Sequence, residues 1–212
     1  MNNRISWGIM TFLALGVVLV VSRYFTMNPE VFFPQQRETY LAHQAGILTH
    51  IVGGVLALGF GPFQFLHRIR TRRPQVHRWI GRLYLIGILL GGTAGLYMAF
   101  YAYAGAAASL GFATLAILWL ITGFMAYRTI RVGNTAAHRQ WMIRNFALTF
   151  AAVTLRLEMP FLTMFFGETT GYEIVAWSCW IPNLLVVEGV LQSWLRLPKT
   201  RAAIRKQPVS QG

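Results

Sequence analysis

The chain contains no aspartate and only six glutamates, against nineteen lysines and arginines. With so few acids it offers no paired-carboxylate site for general acid and base work. The single cysteine, Cys179, excludes an internal disulfide and leaves no CxxC pair. Set in an apolar run, it reads as a buried structural thiol. GxSxG, HExxH and phosphate-loop signatures are missing too, and the glycine-rich stretches lie inside apolar runs, the wrong setting for a nucleotide. Charge as a whole is scarce. Only 12% of residues are charged, where a soluble domain carries about 25%. The hydrophobic share is 55% and the mean hydropathy +0.48. So little polar surface cannot wrap a soluble core, and the class is a one-domain polytopic membrane protein.

A membrane-crossing helix takes about 20 mostly apolar residues. Six stretches qualify, at 5–23, 41–66, 79–103, 107–128, 141–166 and 174–195. They predict an all-α six-transmembrane-helix bundle over residues 1–198, with short links that make neighbouring helices antiparallel. Residues 199–212 read as a basic, disordered tail. The first run is longer than a signal-peptide core and lacks a small-x-small cleavage site after it, so it is expected to stay as a span.

Placing both termini in the cytoplasm puts sixteen of the nineteen basic residues on the inner side, with no acid among them. That bias follows the positive-inside rule and predicts an inner (plasma) membrane protein. It also accounts for the net charge of +13 as a topology signal and a surface for anionic lipid heads, leaving nucleic acid no role.

Two phrases at inner-side helix starts resemble each other: HRWIGRLYLIG from His77 and HRQWMIRNFALT from His138. Interfacial anchoring explains their arginines and tryptophans but does not demand histidine in both. Residues seven apart share a helical face. One stripe holds His43, Gly46, His50, Gly54, Ala57 and Gly61; a second holds His77, Gly81, Tyr84, Gly91 and Gly95; a third holds His138, Asn145, Thr149, Ala152, Arg156 and Thr163. Polar stripes in lipid-embedded helices face the bundle interior or a cavity, while small residues let backbones approach.

By helical rise, Arg156 lies roughly 22 Å and His50 roughly 24 Å from the inner boundary, so the two are expected at one level near the outer face. His43 and Glu158 complete this outer cluster, although Glu158 points away from Arg156 and needs another partner. Pro160 and Pro182 are expected to disturb spans five and six. Glu188, an intramembrane acid, is expected to be protonated or paired.

The phrases HIVGGVLALGFGPFQF, HRWIGRLY and HRQWMIRNFALTFAAVTLR resemble a bacterial family of predicted membrane proteins known as DUF2306, a domain of unknown function. The resemblance covers about residues 40–165 and implies a membrane fold without an established activity. A looser similarity, to transmembrane b-type cytochromes and ferric reductases, implies haem held between helix-borne histidines.

Three function classes stay open. In the first, a redox protein binds one haem b near the cytoplasmic side. Haem iron takes axial histidines, here His77 and His138 on facing spans, with Gly81 and Tyr84 beside the porphyrin and Arg82 and Arg144 toward its propionates. No other metal site is expected, and the partner would be a redox protein or membrane complex. In the second, the outer cluster of His43, His50, Arg156 and Glu158 binds or transports a quinone, another small molecule, an ion or protons. In the third, the chain is an accessory subunit of a membrane complex. Whether it is an enzyme is left undecided by these residues.

Overall fold

A computed structural model describes residues 3–196, so the tail expected at 199–212 lies outside the described residues. Regular structure among the described residues is helical throughout. The helices are α1 (Asn3–Ser22), α2 (Arg37–Ala42), α3 (Gln44–Gln64), α4 (His67–Arg72), α5 (Pro74–Ala99), α6 (Ala106–Arg131), α7 (Thr135–Thr149), α8 (Ala151–Phe166), α9 (Glu168–Ser178) and α10 (Ile181–Arg196), with three short 3-10 turns between α1 and α2. Six segments are long and apolar enough to cross a membrane: α1 with its following turn, α3, α5, α6, α7 joined to α8, and α9 joined to α10. The fold is an all-α six-span bundle.

Its exterior is apolar. Phe12 is 77% exposed and Met164 78%, with Leu19, Phe100 and Phe124 beside them on the surface. In water such a surface would aggregate; in lipid it is what a spanning helix requires, because the helices satisfy their own backbone groups.

The interior is held by close approach and by one polar network. A Cβ on Gly53 would intrude on the Gly91 backbone and lie 2.5 Å from the Gly87 carbonyl oxygen. The α3–α5 seam therefore rests on glycine at all three positions. Beside it, the Tyr84 hydroxyl donates to Asn145 Oδ1 (2.7 Å) and lies 2.9 Å from Thr149 Oγ1. The Trp119 indole donates to the same Thr149 oxygen (2.8 Å), while Asn145 Nδ2 donates to the Trp119 carbonyl and to Thr122 Oγ1, each at 2.8 Å. Tyr84 and Asn145 are completely buried. Their partners on α5, α6 and α7 satisfy groups that would be expensive to leave unpaired in so apolar a core.

Spans five and six are each interrupted. Span five breaks at Phe150, after Thr149 turns its hydroxyl back on the Asn145 carbonyl at 3.0 Å; such back-bonding bends helices. α8 then runs through Pro160 without interruption. Span six breaks at Cys179 and Trp180, just before Pro182, which cannot donate to the helix. Asn183 Nδ2 donates to the Cys179 carbonyl (3.0 Å) and to Thr154 Oγ1 (2.9 Å), covering the break and tying it to α8.

Deeper toward the arginine-rich end, Glu188 of α10 is paired. Its carboxylate accepts two bonds from the Arg144 guanidinium, one of 3.0 Å to Nη2, and Arg144 also lies over the Trp141 ring at 4.9 Å. We expect Glu188→Gln to lower stability by about 1–2 kcal/mol, less than the full penalty of a deeply buried pair, because both groups keep some exposure. The exchanged pair Arg144→Glu with Glu188→Arg should recover much of the loss. Thermal unfolding in mild detergent measures both.

Candidate functional site

A cavity of about 630 Å³ opens inside the bundle at the end opposite the arginine-rich links. This falls within the roughly 300–1,000 Å³ of small-molecule sites. Ile47, His50, Gly54 and Leu58 line it along one face of α3, a stretch of roughly 16 Å at helical rise. Leu58, Trp119 and Thr149 stand at its deep end, next to the Tyr84–Asn145 network. Tyr24, Gln36 and Tyr40 stand at its shallow end. The walls are mainly apolar and aromatic, with polar groups at few places.

His50 is the first of these. Its Nδ1 lies 2.8 Å from the Gly91 carbonyl oxygen. A carbonyl only accepts, so Nδ1 carries the hydrogen, and in the neutral ring Nε2 is left as an acceptor. Gly95 makes room for that ring: a Cβ there would lie 2.7 Å from His50 Nδ1.

Arg156 is the second. Its Nη1 donates to the Ala152 carbonyl oxygen of its own helix (2.8 Å). Among the described residues no carboxylate lies within ion-pairing distance of it. Tyr40 is the third. Burial, reinforced by Tyr172 and Tyr24, pushes its hydroxyl well above the usual tyrosine range against the opposing pull of Arg156, so it remains a hydrogen-bond donor. Arg156 as a cation, Tyr40 as a neutral donor and His50 Nε2 as an acceptor thus meet a long apolar floor, while Glu168 in the same wall accepts from Gln35.

His50 and Arg156 line this cavity together. His43 does not. The chain breaks there between α2 and α3, its Nδ1 meets the Tyr97 hydroxyl at 2.7 Å, and its ring stacks on Tyr101 at 3.8 Å. Glu158 turns toward span six, where its carboxylate accepts from the Ser178 hydroxyl at 2.6 Å.

At the arginine-rich end, His77 has a buried Nδ1 with no hydrogen-bond partner among the described residues. His138 is itself anchored, with Nδ1 2.8 Å from the Ala126 carbonyl oxygen. Around this pair, Tyr84 is taken up by the core network, Arg144 by Glu188, and Arg82 lies over the Trp79 ring at 4.8 Å. Neither described cavity is lined by His77 or His138.

Sequence reasoning did not single out Tyr24, Gln36, Tyr40, Trp119 or Tyr172 as site residues. Gln36 illustrates why. It is 4% exposed. In the amide orientation that satisfies every neighbour, its nitrogen donates to the Tyr101 carbonyl (3.0 Å) and its oxygen accepts from the Tyr103 N–H (2.9 Å) and the Tyr172 hydroxyl (3.0 Å). These bonds close the shallow end of the cavity, yet they join segments far apart in the chain. The one local signal was PQQ in a short polar link, where a buried glutamine is uncommon.

No curated protein and no solved structure matches the chain. Residues 47–191, which include α3 from its first turn, both His-Arg phrases and Arg156, match the family described as "Predicted membrane protein (DUF2306)", and the chain belongs to that family.

Proposed function

We propose that the protein binds a lipid-soluble small molecule, quinone-like in combining an apolar body with a hydrogen-bonding head, in the cavity opposite the arginine-rich end. The observation that carries this reading is the convergence of Arg156, Tyr40 and His50 on one elongated apolar cavity. Arg156 and Tyr40 would donate to the head, and the Nε2 of His50 would accept from it. Glu158 and His43 would act as neighbours that fix the walls. The positive-inside rule places the arginine-rich end and both termini in the cytoplasm of a cell bounded by this membrane, against anionic lipid heads. The cavity then opens toward the outer leaflet.

Delipidated protein should gain thermal stability when a lipophile extract of its host membrane is returned, because a ligand that binds only the folded state stabilises it by mass action. His50→Ala and Arg156→Gln should each lose most of that gain. An equal gain in wild type and both variants would contradict the reading.

A second reading is favoured by the orphaned Nδ1 of His77 near the start of α5, with His138 near the start of α7. The imidazoles of His77 and His138, on α5 and α7, would hold one haem b, which would supply one-electron redox chemistry. His138, fixed by the Ala126 carbonyl, would present Nε2 to the iron. Arg82, whose guanidinium lies over Trp79, would meet a propionate, and a redox partner would dock on that side of the site. This reading stands second because Tyr84 and Arg144 are engaged elsewhere.

A further inference from the structure

A second cavity, of about 340 Å³, lies above the first at the shallow end. Its walls come from the end of α1 and from the 3-10 turns that follow, and it shares Val21, Tyr24, Phe33 and Arg156 with the larger cavity. Two arginines line it, Arg23 and Arg156. The one acid in its wall, Glu30, is held by Arg37 through two bonds of 3.2 Å. Glu168, which lines the larger cavity, accepts from the Gln35 amide. Among the described residues no carboxylate pairs with Arg23 or Arg156.

We infer that the smaller cavity is the access vestibule of the larger one and that the ligand is a lipophilic carboxylate, its head held by Arg156 and its tail lying along α3 toward Trp119. The inference rests on the reading of the larger cavity as a binding site and adds the charge of the ligand and its route. A cation held within a membrane bundle is costly unless paired, and every acid near these two arginines is engaged by another group. Arg156 spends one donor on Ala152, and a guanidinium has five in a fork that matches a carboxylate. The Tyr40 hydroxyl adds a neutral donor at the same end. Arg23 in the vestibule would draw an anion toward Arg156, with Tyr24 and Phe33 as aromatic lips. The polar head then stops at Arg156 on α8, and the tail reaches toward Thr149 and the Trp119 indole that donates to it.

The test uses tryptophan quenching by tail-brominated probes, with the protein in phosphatidylcholine nanodiscs. ω-Bromoundecanoate is compared with ω-bromoundecanol, which has the same tail and no charge. The acid should bind roughly tenfold to a hundredfold more tightly than the alcohol, as one charge-assisted contact provides. Arg156→Gln should erase that difference and Arg156→Lys should keep part of it. Trp119→Phe should remove most of the quenching. Arg23→Gln should slow association of the acid by about threefold at low salt, an effect lost at high salt.

Equal binding of acid and alcohol, both quenching Trp119 and both indifferent to Arg156→Gln, would overturn the inference and leave the larger cavity as a site for neutral lipophiles. Absence of Trp119 quenching by either probe would overturn the inference and the binding reading together.

Discussion

Gly54→Phe is expected to leave the protein folded and to abolish binding of ω-bromoundecanoate. Gly54 lies in the middle of α3 on the cavity wall, and a Cβ built there meets no atom within 4 Å. A phenylalanine side chain would therefore enter existing space between the levels of His50 and Leu58, where the ligand's tail is placed. The backbone has nothing to resist, since replacing glycine inside a helix contributes about 0.5–1 kcal/mol of stability. The unfolding midpoint should hold or rise slightly, while probe affinity should fall by roughly a hundredfold or more, as expected when a tail's apolar burial is denied. Gly54→Ala should keep both folding and binding. Thermal unfolding and quenching titration, on one preparation of each variant, read the two effects separately.

The neighbouring substitution should do the reverse. Gly53→Val is expected to prevent folding, because the atoms its Cβ would meet are the Gly91 and Gly87 backbones rather than the ends of flexible side chains. α3 and α5 would have to separate along a seam that continues to Gly61, where a Cβ would lie 3.1 Å from the Tyr84 ring of α5. Overpacking of a well-filled core costs about 1–3 kcal/mol when side chains can give way, and here only backbone can move. A loss of roughly 3 kcal/mol or more is a large part of the 5–15 kcal/mol that holds a typical domain. Gly53→Ala carries the same Cβ and should already be severe. Size-exclusion of detergent extracts should show little monodisperse Gly53→Val protein, whereas Gly54→Phe should elute as wild type does.

The contrast between these two glycines shows what a sequence can and cannot disclose. Six apolar runs suffice for six spans, because lipid forces each backbone to satisfy its own bonds. The α3 stripe of small and polar residues is also readable from spacing, but spacing does not separate a glycine that admits a helix from one that borders a void. Gly61 and Gly54 look alike on that stripe; a Cβ at the first would meet the Phe146 ring, whereas the second borders the cavity with nothing within 4 Å.

Helical arithmetic also assumes a continuous helix. It put His50 and Arg156 at one depth, and they do line one cavity. It put His43 on the same stripe as His50, but the chain breaks at His43, whose ring turns to Tyr97 and Tyr101. Pro182 signals the break in span six. The break at Phe150 has no such mark; it follows Thr149, whose hydroxyl Trp119 engages from another helix. Glu188 was readable as an acid needing a partner, though not that Arg144 was the partner. The link between α1 and α2 was least legible. Its residues have no period, and its place over the cavity depends on Gln36 reaching Tyr101, Tyr103 and Tyr172.

The cavity beneath Arg156 is expected to hold a lipophilic molecule in the native membrane. Native mass spectrometry of the protein released from its own membrane tests it most directly, with wild type and Gly54→Phe measured side by side. Wild type should retain a small-molecule adduct that leaves as an anion on activation, and the folded Gly54→Phe protein should lack it. Bare wild-type protein, or an adduct carried equally by both, would contradict that expectation.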